Sequence, residues 1–223
     1  MIGPGPADPA DPVDEHHVDA RTFDRLLAQR RMCRDFTEQP VADAELDRVL
    51  AAALRAPSAG NATALDLVVL VGAQVDDYWA TTMAPDRRAG FAWPGLLSAP
   101  VLVLPYVDPG AYVARYGESD KVRSGLGAGE DAWSVPYWWV DGGAAVMAML
   151  LAADSAGLGA LFFGQFEHEA ALARRFGVPS SHRALGTIAL GHPGPDAARR
   201  SASARRGRPS VAEVVHRGGW TDR

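Results

Sequence analysis

One cysteine, Cys33, occurs in 223 residues, so no disulfide framework can form within a chain. Positive charge is in deficit: 22 Lys and Arg against 27 Asp and Glu give a net charge of −5. General nucleic-acid binding needs the opposite field, so no nucleic-acid partner is expected. Cys and His at metal-ligand spacing are lacking. Six His are scattered, and the adjacent His16 and His17 fall in a Pro/Asp-rich leader. No apolar run reaches the roughly 20 residues that span a bilayer. The longest, residues 144–153, lies between Asp141 and Asp154, so no membrane partner is expected either. Residues 1–19 have neither a cationic start nor an apolar stretch. They read as a flexible leader to a cytoplasmic protein. No Ser/His/Asp triad, carboxylate pair or Walker loop stands out. An enzyme without its own acid–base machinery is one in which a cofactor carries the chemistry.

Apolar residues make up 48% of the chain and charged residues 22%, which fits one soluble domain. Residues 19–29 predict a helix with Phe23, Leu26 and Leu27 on one face. A second begins at Asp43, a good N-cap, and carries Leu46, Val49, Leu50, Ala53 and Leu54 to the stop at Pro57. Residues 65–71 and 101–107 read as strands buried on both faces. Asp108 and Pro109 open a short helix. The glycine- and charge-rich segment 117–131 reads as a mobile loop and a candidate lid. Residues 137–156 predict a long helix, apolar all round and therefore buried in the domain or between subunits. A strand over 160–163, a helix over 167–176 and a strand over 185–190 follow. The irregular alternation is an α+β pattern.

Three clusters could carry chemistry. Residues 30–36 hold Arg30, Arg31 and Arg34 just after a helix, and guanidinium forks suit phosphate oxygens and heterocycle carbonyls. A solvated basic helix end is the plain alternative. Residues 57–61 place Pro57, Ser58, Ala59 and Asn61 in a small-residue turn that can hydrogen-bond a flat ligand. An ordinary helix-to-strand connection has the same composition. Residues 157–164 carry glycines, but in the order helix, glycine, strand. A dinucleotide-binding fingerprint needs strand, glycine turn, helix. Gly157 is explained as a helix C-cap. Gly164 ends a strand, beside Phe163, where a backbone amide can approach a ligand. The basic run 205–208 reads alone as a tail, and apolar residues 211–215 could dock it. Trp133, Tyr137, Trp138 and Trp139 could stack on a flat substrate or pack in a core.

In this order and spacing, the segments 30–36, 56–61, 157–166 and 205–216 resemble the nitroreductase family of flavoproteins, over residues 20–217. The resemblance implies a three-layer α/β/α sandwich with a mixed, mostly antiparallel sheet, in an intertwined homodimer. Residues 218–223 then form a C-terminal end. It implies FMN at the dimer interface and NADH or NADPH as electron donor. Carried over by position, Arg30, Arg31, Met32, Arg206 and Arg208 face the phosphate and ribityl chain, and Arg34 tunes the ring near N1/O2. Asn61 meets the pyrimidine edge, Pro57, Ser58 and Ala59 of the partner line the ring, and the backbone at Phe163 and Gly164 lies by N5. No residue is implied as a catalytic acid or base. Two departures stand out: Met32 replaces a serine, and Thr63-Ala64-Leu65 replaces Gln-Pro-Trp. The implied activity is ping-pong hydride transfer to a small aromatic, nitro, quinone or flavin acceptor. The alternatives are a flavin oxidase or dehydrogenase of one metabolite, and a non-catalytic flavin-binding protein.

Overall fold

The computed structural model describes residues 19–220. The expected leader, apart from Asp19, and the last three residues lie outside them. Helix α1 (Ala20–Gln29) is capped by the Asp19 carboxylate, which accepts from the Arg21 amide. Helix α2 spans Asp43–Ala53. Its N-cap is Ala42, not Asp43. Asp43 is the first helical residue, where its charge still favours the helix N-terminus. Strand β1 (Leu65–Val71) leads to α3 (Ala73–Thr82) and α4 (Pro85–Ala89). Strand β2 (Val101–Val107) is followed by α5 (Pro109–Tyr116), α6 (Tyr137–Ser155), β3 (Gly159–Phe163) and α7 (Glu169–Phe176). Strands β4 (Arg183–Ala184) and β5 (Thr187–Gly191) and the short α8 (Val211–Val214) complete the chain.

The sheet order is β1-β2-β5-β3, with β4 also on β2, and every strand pairing is antiparallel. A parallel bridge from Met32 to Ala160 lays the arginine segment along the free edge of β3. Alternation along β2 divides the core. Val101 and Val103 face α2 and α6, meeting Val49, Met149 and Leu150. Leu102, Leu104 and Tyr106 face the other way, toward Tyr78 and Trp79 of α3 and Leu172 of α7. Two helical layers thus cover one sheet, the three-layer arrangement expected from the sequence. All seven residues of β2 are buried. β1 is not, against expectation, because only β2 pairs with it and its outer edge is free; Val71 is exposed.

Three other expectations need correction. The single strand over 185–190 is two, β4 and β5, because Gly186 adopts φ 143°. A side chain there would meet the Phe163 carbonyl at 2.6 Å. Segment 117–131 is organised rather than loose. It winds through three 3-10 turns, Val122–Ser124, Leu126–Ala128 and Glu130–Ala132. Trp133 Nε1 donates to the Leu126 carbonyl at 3.0 Å, and Gly127 sits so close to Gly117 that a Cβ would lie 2.6 Å from its backbone nitrogen. Residues 211–215 do not dock on their own chain: Val211, Val214 and Val215 are exposed.

The C-cap of α6 is Ala156, one residue before the expected Gly157, which follows it with the positive φ, 74°, that suits a helix-ending glycine. Gly159 serves packing: a Cβ there would come 2.7 Å from Cys33 Sγ. Among the described residues, no helix is long and apolar enough to cross a membrane.

Candidate functional site

The arginine segment is locked before it reaches any ligand. The Cys33 amide donates to the Ala160 carbonyl at 2.9 Å, and the Phe36 amide to that of Gly95 at 3.0 Å. Between them, the Asp35 carboxylate sits where side chains on Gly95 and Gly194 would collide with it. It accepts from the Asp196 amide at 2.7 Å. Asp35 therefore joins the arginine segment to the turn at 94–96 and to residues 194–197. Cys33 is buried, which pushes its thiol up and makes it an unreactive packing group.

The locked segment opens onto a cavity of about 600 Å³. Arg30, Arg31, Arg34, Arg199, Arg200 and Arg208 line it, with Met32, Ser201 and Ser203, and no carboxylate does. None of the six guanidinium groups is ion-paired among the described residues. Arg30 Nη1 is buried with no hydrogen-bond partner. Its charge lies near Asp154 of α6, whose carboxyl burial pushes up and Arg30 pulls back. A buried donor without an acceptor costs free energy until an acceptor arrives. Phosphate supplies one, and this cavity, lined by six arginines and no carboxylate, is chemically matched to it. Arg206 is exposed in the 3-10 turn Ala202–Arg206 and does not line the cavity. Arg199 and Arg200 do, although the sequence reading did not assign them to the cofactor.

The end of β3 is held by a buried polar network that composition gave no hint of. Gln165, 3% exposed, donates through Nε2 to the Gly186 carbonyl at 3.0 Å and to Thr187 Oγ1 at 3.3 Å. Thr187 Oγ1 also pairs with the Tyr78 hydroxyl at 3.0 Å. Phe163, partly buried, packs its ring against the core, stacked on Trp79 with ring centres 6.1 Å apart. A side chain at Gly164 would meet the Phe166 ring at 2.8 Å. Desolvation pushes the Tyr78 phenol up from 10.0 to about 12. The folded state thus favours the neutral phenol. Its contribution is complete below pH 10 and is lost as pH rises toward 12. The loss is roughly 3 kcal/mol at full titration. Tyr78→Phe is expected to flatten the stability profile over that window in alkaline denaturation curves. An unchanged profile would assign the alkaline loss to other groups.

The turn at 57–61 lies in a second, smaller pocket that shares no lining residue with the cationic cavity. Pro57, Ser58 and Asn61 line it with Tyr112 and Asp141. The Ala59 amide donates to Asp141 Oδ2 at 2.7 Å, and the Tyr112 hydroxyl to the same oxygen at 2.9 Å. Burial and that carboxylate both push the Tyr112 phenol up. Arg115 Nε donates to the Gly60 carbonyl at 2.8 Å, while its Nη atoms bind Asp120, whose carboxyl falls to about 2 through that contact. Gly60 and Asn61 both take positive φ, 65° and 55°, a conformation that glycine and asparagine tolerate. Sequence reading found the turn but missed Asp141 and Arg115, which come from 82 and 55 residues away.

The aromatic cluster divides. Trp133 and Trp138 are buried against Tyr112 in a core of their own, while Tyr137 and Trp139 are exposed. Among the described residues no group of His, Cys, Asp and Glu is arranged to hold a metal ion.

The family model for the nitroreductase family matches residues 27–192. A protein of Archaeoglobus fulgidus that carries the name NADH dehydrogenase/NAD(P)H nitroreductase is 24% identical over 175 residues, covering 76% of this chain and 84% of its own. Among solved structures, the nitroreductase CinD of Lactococcus lactis, in complex with nicotinic acid, superposes with a TM-score of 0.67 at 18% identity, over 87% of this chain and 98% of that one. NfrA2 of B. megaterium superposes with a TM-score of 0.64 at 19% identity, over 88% and 74%. The fold is that of these structures, and the chain belongs to the nitroreductase family.

Proposed function

We propose that the protein is an FMN-dependent oxidoreductase that takes a hydride from NADH or NADPH and delivers it to a small aromatic, nitro, quinone or flavin acceptor. The observation that carries this reading is the six-arginine cavity with the unpartnered, buried Arg30 Nη1. Nitroreductase-family membership supplies the reaction class. The bound flavin supplies two-electron hydride chemistry at its ring. The chain's own residues bind and orient. Arg30, Arg31 and Arg208 hold the phosphate. Arg34, kept near the backbone by donation from Nη1 to the Met32 carbonyl at 3.3 Å, favours negative charge at the pyrimidine end. The backbone at Phe163 and Gly164 borders the ring. Donor and acceptor use one open face in turn, which gives ping-pong kinetics. CinD was solved with 4-nitrophenol and with chloramphenicol, compounds of the proposed acceptor class.

The site is completed in this reading by a second copy of the chain. The cationic cavity and the 57–61 turn lie apart within one chain. Apolar residues stay exposed on α1 (Phe23, Leu27), α6 (Val140, Met147) and α8 (Val211, Val214). Large uncovered apolar surfaces mark partner contacts, and a two-fold partner would bring its turn to this chain's cavity.

The test is an absorbance spectrum of the purified protein with FMN, followed by anaerobic addition of NADPH or NADH. Flavin bands that bleach with the nucleotide support the reading. Bound flavin that stays oxidised redirects it to a dedicated oxidase or a non-catalytic flavoprotein, and absence of binding overturns it. Met32→Ser is expected to tighten FMN about fivefold by adding one hydroxyl to the phosphate cavity. It is expected to lower stability by about 1–2 kcal/mol, since Met32 packs against both large core clusters. Fluorescence titration and denaturation read the two effects, and weaker FMN binding would remove position 32 from the phosphate site.

A further inference from the structure

We propose that Trp93 is a positioning residue that aligns Arg34 and Arg199 at the cationic cavity without neutralising either. The ζ carbon of Arg199 lies 4.3 Å from the centre of the Trp93 ring, and that of Arg34 lies 5.3 Å away. Both lie within the distance at which an indole attracts a guanidinium group. The remaining contacts of the two arginines are neutral as well. Arg199 Nη1 donates to the Ala92 carbonyl at 3.1 Å, and Arg34 Nη1 to the Met32 carbonyl at 3.3 Å.

Arginines in proteins are commonly oriented by carboxylates, and an ion pair spends the charge it positions. Here the acid next to Arg34, Asp35, is committed to the Asp196 amide, and no acidic residue lines the cavity. The indole face and the carbonyl dipoles relieve the repulsion between two like charges while leaving their field directed at a ligand. Trp93 is itself fixed. It immediately precedes the 3-10 turn Pro94–Leu96, whose Gly95 carbonyl receives the Phe36 amide at 3.0 Å. Arg199 is tied to the same frame, since its amide donates to the Asp196 carbonyl at 2.9 Å. The clamp therefore brings together segments more than a hundred residues apart. It enlists Arg199 in anion binding, a residue that no neighbouring motif marks.

This inference rests on the FMN reading for its ligand, and the experiment separates the two. FMN affinity is measured by fluorescence quenching for the full chain, Trp93→Leu, Trp93→Phe, the Arg34→Ala/Arg199→Ala double variant and that double variant combined with Trp93→Leu. Trp93→Leu is expected to weaken FMN about tenfold, and Trp93→Phe to restore most of the loss. In the double-arginine background, Trp93→Leu is expected to change nothing further, because its effect passes through those two side chains. An equal loss in both backgrounds, or no loss in either, would overturn the clamp. If the unaltered chain does not quench FMN, the cofactor reading fails by itself. The clamp is then judged with inorganic pyrophosphate, read by thermal protection. Protection lost in Trp93→Leu, with no further loss when that change is added to the double variant, supports it. Protection that ignores Trp93, or no protection at all, overturns it.

Discussion

Thr187→Val is expected to lower the free energy of unfolding by about 2–3 kcal/mol, although the two side chains have nearly the same shape. Thr187 is completely buried on β5, and its hydroxyl is the hub between Tyr78 at 3.0 Å and Gln165 at 3.3 Å. Valine fills the space and removes the acceptor. The Tyr78 hydroxyl then remains in the core with no partner. Gln165 keeps its bond to the Gly186 carbonyl. An unsatisfied buried hydroxyl costs about 1–3 kcal/mol, and the second, longer bond adds to that. For a chain of this size the loss corresponds to a fall of roughly 5–10 °C in the melting midpoint. Thr187→Ser keeps the oxygen and loses a methyl group, so it is expected to cost about half as much. Chemical denaturation of the three proteins decides the matter. If valine and serine cost the same, the hydroxyl is not a hub and the defect is one of packing. The consequence extends to the site, because Gln165 directly follows Gly164 and fixes the exit of β3.

How much of this was legible in the sequence depended on the range of the interactions involved. The 3.6-residue spacing of Val49 and Ala53, and the apolar runs of β1 and β2, placed those elements within a residue or two. The end of α6 was read to within one residue because a helix C-cap is a local event. The fold class followed from element order together with four family-like segments. The arginine cavity was half legible. Arg30, Arg31 and Arg34 are neighbours in sequence, but Arg199 and Arg200 join them through long-range contacts, among them the Asp35 bond to the Asp196 amide. Trp93 carried no signal at all: one tryptophan beside Pro94 is unremarkable until two guanidinium groups approach it. The same holds for Asp141, which fixes the 57–61 turn from within a helix whose apolar centre drew the attention. Gly186 was missed for the opposite reason, since one glycine inside an apolar run reads as a strand residue until the Phe163 carbonyl is seen against it. Exposure of the apolar residues on α1 and α8 was also unforeseen. The helical spacing read on α1 was correct, and it identified a face to be covered without saying by which chain, whereas 211–215 was read only as an apolar segment that could dock.

Arg30→Ala is expected to have the largest effect on cofactor affinity, weakening FMN between about tenfold and a hundredfold. Among the described residues that line the cavity, Arg30 alone has a donor, Nη1, that is both buried and unpartnered. Arg208 lines the same cavity from an exposed position. Water screens it, and Arg208→Ala is expected to cost less, about three- to tenfold. Arg206 lies outside the cavity, and Arg206→Ala should be nearly silent. The stability of the cofactor-free protein supplies an independent check. Losing Arg30 removes an unsatisfied buried donor, which favours the folded state. It also removes the charge beside Asp154, whose partly buried carboxylate then has less to hold it ionised. These effects oppose each other, and the net change in the apo protein is expected within about 1 kcal/mol. A large affinity loss with little change in apo stability is the signature of a residue kept for its ligand. Equal FMN affinities for Arg30→Ala and Arg206→Ala would show that the phosphate does not occupy this cavity. A large stability loss without an affinity loss would make Arg30 a partner of Asp154 first, and the donor set for the phosphate would then fall to Arg31, Arg34, Arg199 and Arg208.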